Sequence, residues 1–419
     1  MPDAEALISR TFARYREFLN PGLASLVEFM GLNTVEAESE GCYVIDARGE
    51  RYLDFLGGPG VFTMGHRHPK IVEAVRAQLD RMPLGSHTLL SPLTAELAER
   101  VANVAPGPLQ FSFFCNSGAE AVEGALKLAR AATGRPGFVA MEGAFHGKTF
   151  GALSASGREA YRKPFYPLLE SFTHVSFGDV EALEAAVTTD TAAVILEPIQ
   201  CEAGIRIPPD GYLRAVREVC DRAGSLLIFD EIQSGLARTG RMWACDWEHV
   251  APDIMTIGKA LGGGVMPLGA FVGRPEVWGM FRENPYLHSS TFGGNPLACA
   301  AGIAALEVIE EEALADRARE RGEQLLTEVR RAVTGYEDLV KEVRGRGLLV
   351  GVEFYDSDVG GLVIAGLIQH RVLSGFSINN MEVLRLEPPA VVTPEEITRA
   401  AEALAAALAA ARELIGSLG

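Results

Sequence analysis

Between about residues 109 and 272 the sequence alternates short apolar runs with longer amphipathic stretches. Strands and helices in this alternation imply a mostly parallel sheet with helices packed on its faces. Uninterrupted apolar runs such as AAVIL and LLIF are typical of strands that are buried on both sides. The runs that we expect to be strands are FSFFCN, GFVAM, THVSF, AAVILEP, SLLIFDE and DIMTIGK. The pattern therefore predicts an α/β fold.

The flanking segments predict a second, smaller unit. Before the alternation, GCYVIDARGERYLDFLGG has the pattern of a hairpin; after it come a helical region at about 296–331, the strand-like RGLLVGVEF and VLRLEPP, and a last helix. Thr393, Pro394 and Glu396 resemble the N-cap, first-turn proline and capping-box partner of that helix. A chain of 419 residues has room for two or three domains. We expect a large α/β domain at 73–318 and a small α+β domain made of 319–419, to which the N-terminal segment 1–72 contributes.

Composition excludes several classes of function. The chain has 55 Asp plus Glu against 38 Lys plus Arg, a formal charge of −17, which repels nucleic acid. No run approaches 18 apolar residues and the N-terminus lacks a signal-peptide pattern, so neither a membrane span nor secretion is expected. The six cysteines show no CxxC pairing and are expected to be free thiols, which favours a cytoplasmic location.

Polar residues follow several of the predicted strands, at the edge where open parallel sheets bind ligands. Ser117 and Gly118 follow FSFFCN and begin a helix. This could be an anion site for a phosphate, although taken alone the pattern is more often an ordinary N-cap serine. Asp230 ends SLLIF, where a carboxylate could hold a cationic ring nitrogen or simply face water.

Two further strand ends carry other chemistry. Lys259 follows DIMTIG, and partial desolvation of its amine would favour the neutral form that attacks a carbonyl. Phe145 and His146 follow GFVAM, where an aromatic ring could stack on a flat ligand. A phosphate cradle, a stacking ring, a carboxylate and a reactive amine together match the needs of pyridoxal 5'-phosphate. No metal is expected, because His66 and His68 have no third ligand near them in sequence.

Six segments then reveal a resemblance: SFFCNSGAEAVEGALKLAR, GAFHGKT, VILEPIQCEAG, IFDEIQSG, GKALGGGVMPLGA and HSSTFGGNPLACAAG. In this order they resemble the class III (ω-) aminotransferases of fold type I, over about residues 49–389. Within that family, CNSGAE, YRKPFYPLL, NPYLH and LRLEPP are most similar to the bacterial putrescine (diamine) aminotransferases. The resemblance implies the fold of a pyridoxal-phosphate-dependent transferase.

The resemblance also implies roles for individual residues. Lys259 would hold the cofactor covalently and move the substrate proton, and Asp230 would pair with the pyridine nitrogen. Arg385 would bind the carboxylate of 2-oxoglutarate or glutamate, and Glu202 would pair with Arg385 when the amine donor has no carboxylate there. The resemblance implies that Ser117, Gly118 and Ala119 bind the phosphate of the cofactor and that Thr291 reaches the phosphate bound in a neighbouring subunit. Phe145 and Ile232 would pack on the two faces of the ring, and His146 would be a further cofactor-binding residue. Gln233 would form a hydrogen bond with the phenolic oxygen.

Two departures from the family bear on the substrate. Ala203 replaces a familiar glycine after Glu202, and Pro59 stands where putrescine enzymes commonly have an aromatic residue at the substrate entrance. We expect a homodimeric aminotransferase with shared active sites, which moves a terminal amino group from a small-molecule diamine to 2-oxoglutarate or pyruvate by a ping-pong mechanism. The alternatives are an ornithine, acetylornithine, 4-aminobutyrate or secondary-metabolite amine donor, a racemase or aminomutase on the same scaffold, and a homologue that binds cofactor without turnover.

Overall fold

The structure is a computed structural model that describes residues 4–86 and 88–418. Its helices are α1 Ala4–Arg14, α2 Pro21–Phe29, α3 Pro69–Arg81, α4 Pro92–Val104, α5 Gly118–Thr133, α6 Phe150–Ala155, α7 Glu159–Arg162, α8 Val180–Ala186, α9 Tyr212–Ala223, α10 Gly279–Glu283, α11 Pro296–Glu311, α12 Leu314–Ala332, α13 Ser357–Gln369 and α14 Pro394–Leu418. Short helical turns lie at Tyr15–Leu19, Gly57–Gly60, Lys163–Phe165, Ala244–Trp247, Lys259–Gly262 and Pro275–Trp278.

The strands form three sheets. They are β1 Glu36–Glu40, β2 Tyr43–Asp46, β3 Arg51–Asp54, β4 Phe111–Cys115, β5 Gly137–Met141, β6 Phe172–Val175, β7 Thr191–Leu196, β8 Leu226–Asp230, β9 Ile254–Ile257, β10 Gly269–Gly273, β11 Val340–Gly345, β12 Val350–Phe354, β13 Val372–Leu373, β14 Gly375–Ser377 and β15 Asn380–Leu386. The large sheet has seven strands in the order β4-β10-β9-β8-β7-β5-β6. The two smaller sheets have the orders β1-β2-β3-β13 and β11-β12-β15-β14.

The large sheet is parallel except at one strand. β5, β6, β7, β8 and β9 pair in parallel, whereas β10 pairs antiparallel with both β4 and β9. Since β10 reverses direction between them, β4 and β9 point the same way. The carboxyl ends of β4, β5, β7, β8 and β9 therefore meet at one edge of the sheet, where ligands of open α/β sheets bind.

Both faces of this sheet are buried. All six residues of β7 are buried. Alternate residues of the strand join different cores: Val194 packs in the cluster that contains Val216 of α9, and Ile195 in the cluster that contains Val122 of α5. Successive side chains of a strand point to opposite faces, so a strand covered by helices on both sides reads as one continuous apolar run. The predicted α/β fold with a mostly parallel sheet is confirmed.

The smaller sheets join distant parts of the chain. β13 pairs in parallel with β3, so residues near 372 extend the sheet of the N-terminal hairpin. The division into domains at residues 72 and 318 stays a prediction. In the last helix the capping box is present, because the Thr393 N–H donates to Glu396 at 2.9 Å and the Glu396 N–H donates to Thr393 Oγ1 at 3.2 Å.

The region predicted to be helical at about 296–331 consists of two helices, α11 and α12. Ala313, with a left-handed φ of 49°, separates them. All six cysteines are buried and free, as expected. Across residues 4–86 and 88–418, no helix combines the length and the apolarity needed to cross a membrane.

Candidate active site

A cavity of about 240 Å³ lies at the carboxyl edge of the large sheet. A single buried water needs only roughly 10–15 Å³ of such space, so this cavity can hold a small organic molecule. Its lining comes from loops that follow four of the parallel strands and from the start of α5. The lining residues are Gly118, Ala119, Phe145, His146, Gly147, Glu197, Ile199, Cys201, Asp230, Ile232, Gln233, Ser234 and Lys259.

Lys259 brings an amine into this cavity. It follows β9 directly, is half-buried, and has a positive φ of 44°. A left-handed backbone costs free energy for a residue that has a Cβ, and such conformations cluster at functional sites. The Nζ of Lys259 donates to Oε1 of Gln233, so the amine is held by a hydrogen bond that it can break.

Asp230 and His146 form a buried pair at the end of β8. The Nδ1 atom of His146 lies 2.7 Å from Asp230 Oδ2, and both side chains are at most 3% exposed. Because an ionised carboxylate only accepts hydrogen bonds, His146 donates through Nδ1. The other oxygen, Oδ1, accepts the Ile232 N–H at 3.1 Å. Asp230 is therefore fixed in direction, and its oxygens keep lone pairs that can accept from a cation in the cavity.

The N-terminus of α5 supplies anion-binding groups. Ser117 is its N-cap, and the Ser117 hydroxyl accepts the Glu120 N–H at 3.2 Å. The first N–H groups of a helix have no partner within the helix, so those of Gly118 and Ala119 are available to a ligand. A Cβ built on Gly118 would lie 2.8 Å from Ile232 Cδ1, so the glycine allows the Ile232 side chain to approach the helix start.

Glu197, which follows β7, is a second carboxyl in the cavity. It is buried and accepts the Phe145 N–H at 3.1 Å. Burial and, next, the nearby carboxylate of Asp230 raise the pKa of Glu197 well above its usual value. Burial therefore disfavours the ionised form of Glu197, and Asp230 is the carboxylate better placed to balance a cation there.

A second polar centre lies beside the cavity. Arg385 of β15 donates from Nη1 to Glu202 Oε1 at 2.7 Å, and the same Nη1 lies 3.4 Å from Glu387 Oε1. Glu387 also accepts from Gln233 Nε2, at 2.9 Å and 3.1 Å for its two oxygens. Burial lowers the pKa of Arg385, but the carboxylates of Glu387 and Glu202 outweigh it and raise that pKa. Arg385 is a permanent cation held by two acids.

The structure does not bring every predicted site residue to the cavity. Ser117 and Thr291 are both exposed, and neither lines the cavity. Pro59 is also exposed and borders a separate surface groove with Phe62 and Arg67, rather than the cavity of Lys259. The pair His66 and His68 is divided between two partners, since His66 bonds to Asp54 and His68 to Glu312.

Among the buried residues of the site that had no role assigned from the sequence are Glu197, Cys201 and Glu387. Glu197 follows the apolar run AAVIL directly, so the rule that singled out Asp230 applies to it equally. Glu387 lies two residues after Arg385 on the same strand, where side chains share a face. Cys201 precedes Glu202 in a turn, and its place in the cavity lining is visible only from the fold.

The donor set in the cavity fits pyridoxal phosphate. An amine stands at Lys259, a fixed carboxylate at Asp230 and free N–H groups at the start of α5. Phe145 and Ile232 supply apolar walls. These are the groups needed to bind an aldehyde, a pyridine nitrogen, a phosphate and a flat ring, respectively.

Comparison with known proteins agrees with this chemistry. The family model described as "Aminotransferase class-III" matches residues 29–408. An ornithine aminotransferase from Toxoplasma gondii, whose active site holds pyridoxal phosphate at partial occupancy, is 36% identical with a TM-score of 0.86 and 91% coverage of each chain. A Bacillus anthracis aminotransferase is 30% identical (TM-score 0.90, covering 97% of this chain and 99% of the other).

A further solved structure extends the likeness to amine transaminases. A thermostable (S)-enantioselective omega-transaminase from Thermomicrobium roseum is 30% identical, with a TM-score of 0.89 and coverage of 98% of this chain and 99% of the other. The match of the family model over most of the chain agrees with the residues that line the cavity. The protein thus belongs to the class III aminotransferases and is a pyridoxal-phosphate-dependent transaminase of fold type I.

Proposed function

We propose that this aminotransferase takes the terminal amino group of a diamine such as putrescine and transfers it to 2-oxoglutarate or pyruvate in a ping-pong reaction. The observation that carries the proposal is the buried pair between Arg385 and Glu202, at 2.7 Å. While the pair is closed, the guanidinium is not available to a substrate carboxylate. The closed site therefore suits a donor that has no carboxylate at this position, and the open site suits an oxo acid.

The residues of the cavity divide the chemical work. Pyridoxal phosphate supplies an electron sink for the carbanion that forms when the substrate loses a proton. Lys259 Nζ would take that proton and return it, and its bond to Gln233 Oε1 holds the amine in the cavity. Asp230, oriented by His146 at 2.7 Å, would keep the ring nitrogen protonated. The N–H groups of Gly118 and Ala119 would hold the phosphate.

The homodimer is part of the proposal. Thr291 is exposed and lies outside the cavity lining of its own chain. Its exposure allows the contact with a neighbouring subunit's phosphate that the family resemblance implies. On this proposal each active site is completed by a residue of the partner subunit.

Absorption spectroscopy on the purified protein tests the proposal. Putrescine added without an oxo acid should shift the visible absorption band, and 2-oxoglutarate should return it, whereas Lys259→Ala should show neither change. Lys163, which is exposed and lines no part of the cavity, provides a matched control, since Lys163→Ala should keep both changes. A racemase or aminomutase would instead turn over without any oxo acid, and that outcome would refute the proposal.

Ornithine is the second candidate donor, and one surface feature favours it. Lys148 Nζ lies 4.0 Å from the centre of the Tyr161 ring, and Arg158 lies 4.7 Å from the same ring. Tyr161 donates to the Ile378 carbonyl at 3.2 Å, and the Ile378 N–H donates to Glu202 at 3.0 Å. Lys148 and Arg158 are linked to Glu202 in this way, and the two cations could bind the carboxylate of an amino-acid donor.

A donor panel separates the two candidates. The panel consists of putrescine, cadaverine, ornithine, N-acetylornithine and 4-aminobutyrate, each with 2-oxoglutarate. The diamine proposal requires kcat/KM for putrescine to exceed that for ornithine. The opposite order, reversed by Lys148→Met, would establish the amino-acid donor instead.

A further inference from the structure

We propose that Glu387 is a specificity-determining residue: its fixed carboxylate acts as a second counter-ion of Arg385, favouring donors with a distal ammonium group and weakening the binding of carboxylates. The inference rests on the proposed function, because it names the charge that distinguishes the two kinds of substrate. Glu387 is fully buried, and its carboxylate contacts the guanidinium of Arg385 and the side-chain amide of Gln233.

The carboxylate of Glu387 lies between two functional side chains. Its Oε1 atom is 3.4 Å from Arg385 Nη1 and accepts from Gln233 Nε2 at 2.9 Å, and Oε2 accepts from the same Nε2 at 3.1 Å. A carboxylate can only accept, so the amide nitrogen of Gln233 must face Glu387. The amide oxygen of Gln233 then faces Lys259. Glu387 thus connects the substrate arginine with the residue that holds the catalytic amine.

Glu387 is anchored through its backbone as well as through Gln233. Its backbone N–H donates to the Phe55 carbonyl at 2.6 Å, and a Cβ on Gly57 would lie only 2.3 Å from the Glu387 carbonyl oxygen. Glu202 lies in the turn 201–204, where its carbonyl oxygen accepts the Asn379 N–H at 2.8 Å and its Oε2 atom accepts the Ile378 N–H at 3.0 Å. When Glu202 leaves Arg385 to admit an oxo acid, Glu387 therefore remains in place and still neutralises part of the guanidinium charge.

The other buried guanidinium nearby has its own partners. Arg238 donates to the carbonyl oxygens of Leu348 and Pro388 and to the Thr63 hydroxyl. Among the described residues it forms no ion pair with Glu387. Arg385 is thus the cation paired with Glu387, and with Glu202 closed one guanidinium faces two carboxylates. Burial lowers the pKa of Arg238 and the carboxylate of Glu387 partly offsets this, so Arg238 also interacts with the charge of Glu387 at longer range. The two carboxylates in direct contact with Arg385 complement the distal ammonium of a diamine.

Glu387→Gln tests the charge with little change of shape. The amide oxygen at the Oε1 position still accepts from Gln233 and Arg385, while the charge is lost. The new amide nitrogen replaces Oε2 and must turn away from Gln233 Nε2, because both groups are donors. We expect kcat/KM for 2-oxoglutarate, divided by that for the neutral acceptor butanal, to rise about tenfold, because charged partners of an interface tune affinity on this scale. The ratio for putrescine over butylamine, which lacks the distal ammonium, should fall by a similar factor.

The control is Glu387→Asp, which keeps the charge and should keep both ratios within about twofold of wild type, whatever its absolute rate. Each ratio is measured within one protein, so a loss of active fraction cancels. Unchanged ratios in Glu387→Gln would overturn the proposal. The acceptor ratio does not depend on the donor, so a wild-type preference for ornithine would refute the diamine function alone and leave the role of Glu387 testable.

A second measurement keeps Glu387 intact. Glutarate is a dicarboxylate that cannot accept an amino group, and its inhibition constant reports on binding to Arg385. In Glu202→Gln the inhibition constant of glutarate should decrease by no more than about tenfold, because the carboxylate of Glu387 still neutralises part of the charge of Arg385. An improvement of about a hundredfold or more would show that Glu387 does not act as a counter-ion.

Discussion

Arg385 Nη1 and Glu202 Oε1 lie 2.7 Å apart, with side chains only 3% and 4% exposed. A buried ion pair costs much of its Coulombic gain in desolvation, so it is poor evidence for a purely structural role. One partner is on β15, in the small antiparallel sheet, and the other is in the turn that follows β7 of the large sheet. The pair therefore lies where two sheets meet, beside the cavity that contains Lys259, and on the proposed function it opens to admit an oxo acid.

Glu202→Gln should separate the two half-reactions. Without the carboxylate of Glu202, less of the positive charge of Arg385 is neutralised. The guanidinium then repels the distal ammonium group of an incoming diamine. We expect kcat/KM for putrescine to fall by about thirtyfold or more, because removing one charge of a buried pair costs roughly 2–5 kcal/mol. The value for 2-oxoglutarate should stay the same or increase. Stopped-flow measurement of each half-reaction gives the two constants separately.

The control for this substitution is Glu320→Gln in α12, where the carboxylate is exposed. It should leave both half-reactions unchanged. Equal losses in both half-reactions for Glu202→Gln would indicate a general disturbance of the site rather than a switch.

Local sequence patterns predicted much of this fold. The six apolar runs are strands, and Thr393 and Glu396 form the predicted capping box, because burial on two faces and helix capping both depend on residues close together in the chain. The break at Ala313 was not predicted, since a left-handed residue other than glycine has no marker in an apolar periodicity.

The residues of the active site could be predicted from the sequence only in part. Lys259 and Asp230 follow apolar strands, and the pairing of Arg385 with Glu202 came from the family resemblance. The contact of His146 with Asp230 spans 84 positions of sequence and depends on how the loop after β5 folds over the end of β8. Such a contact arises from tertiary packing, which no spacing rule in the sequence encodes.

The contact between His146 and Asp230 gives the second prediction. His146→Leu should lower kcat about tenfold or more, because Asp230 loses the donor that fixes its direction and a buried acceptor is left short of a partner. His146→Asn should recover much of the loss, since its amide nitrogen can reach the position of Nδ1. Asp230→Asn should be more severe than either, and His146→Leu should also change the pH at which the visible band titrates.

Cofactor loading in these variants decides the interpretation. The rates are compared at saturating pyridoxal phosphate, and bound cofactor is measured after gel filtration. If His146→Asn is as slow as His146→Leu when both are fully loaded, the orientation of Asp230 is not the function of His146.

Gly118→Ala should weaken cofactor binding. The new Cβ would lie 2.8 Å from Ile232 Cδ1, closer than real Cβ contacts, so either Ile232 or the start of α5 must move. Both line the cavity, and the free N–H groups of the helix start would be displaced from the phosphate. We expect the dissociation constant of pyridoxal phosphate to rise about tenfold or more, by analogy with strained insertions of roughly 1–3 kcal/mol.

The matched control is Gly279→Ala at the start of α10. A Cβ there has nothing within 4 Å, so the same change of residue should leave cofactor affinity and thermal stability close to wild type. Fluorescence titration of the cofactor-free protein measures the dissociation constant of pyridoxal phosphate for each of the two variants. Similar affinities for the two variants would contradict the close packing of Ile232 on Gly118.

Glu231 gives a prediction for the pH dependence of stability. Burial raises the pKa of Glu231 from 4.5 to about 7, although hydrogen bonds from the Ser234 hydroxyl and the Cys245 N–H lower it in part. Between these two pH values the folded protein binds a proton that the unfolded chain has released. The contribution of Glu231 to stability is therefore complete below about pH 4.5 and is lost as pH rises through 7.

Glu231→Gln should remove this dependence, because an amide does not titrate while its oxygen still accepts the Cys245 N–H. Relative to the variant, wild type should lose up to about 3 kcal/mol of stability between pH 5 and pH 8, from about 1.4 kcal/mol per unit of pKa shift. Calorimetry of the holoenzyme at several pH values measures the difference in Tm, and the exposed Glu320→Gln should track wild type throughout. A constant difference between wild type and Glu231→Gln over this range would mean that Glu231 is ionised in the fold, so that hydrogen bonds from Ser234 and Cys245 outweigh the cost of its burial.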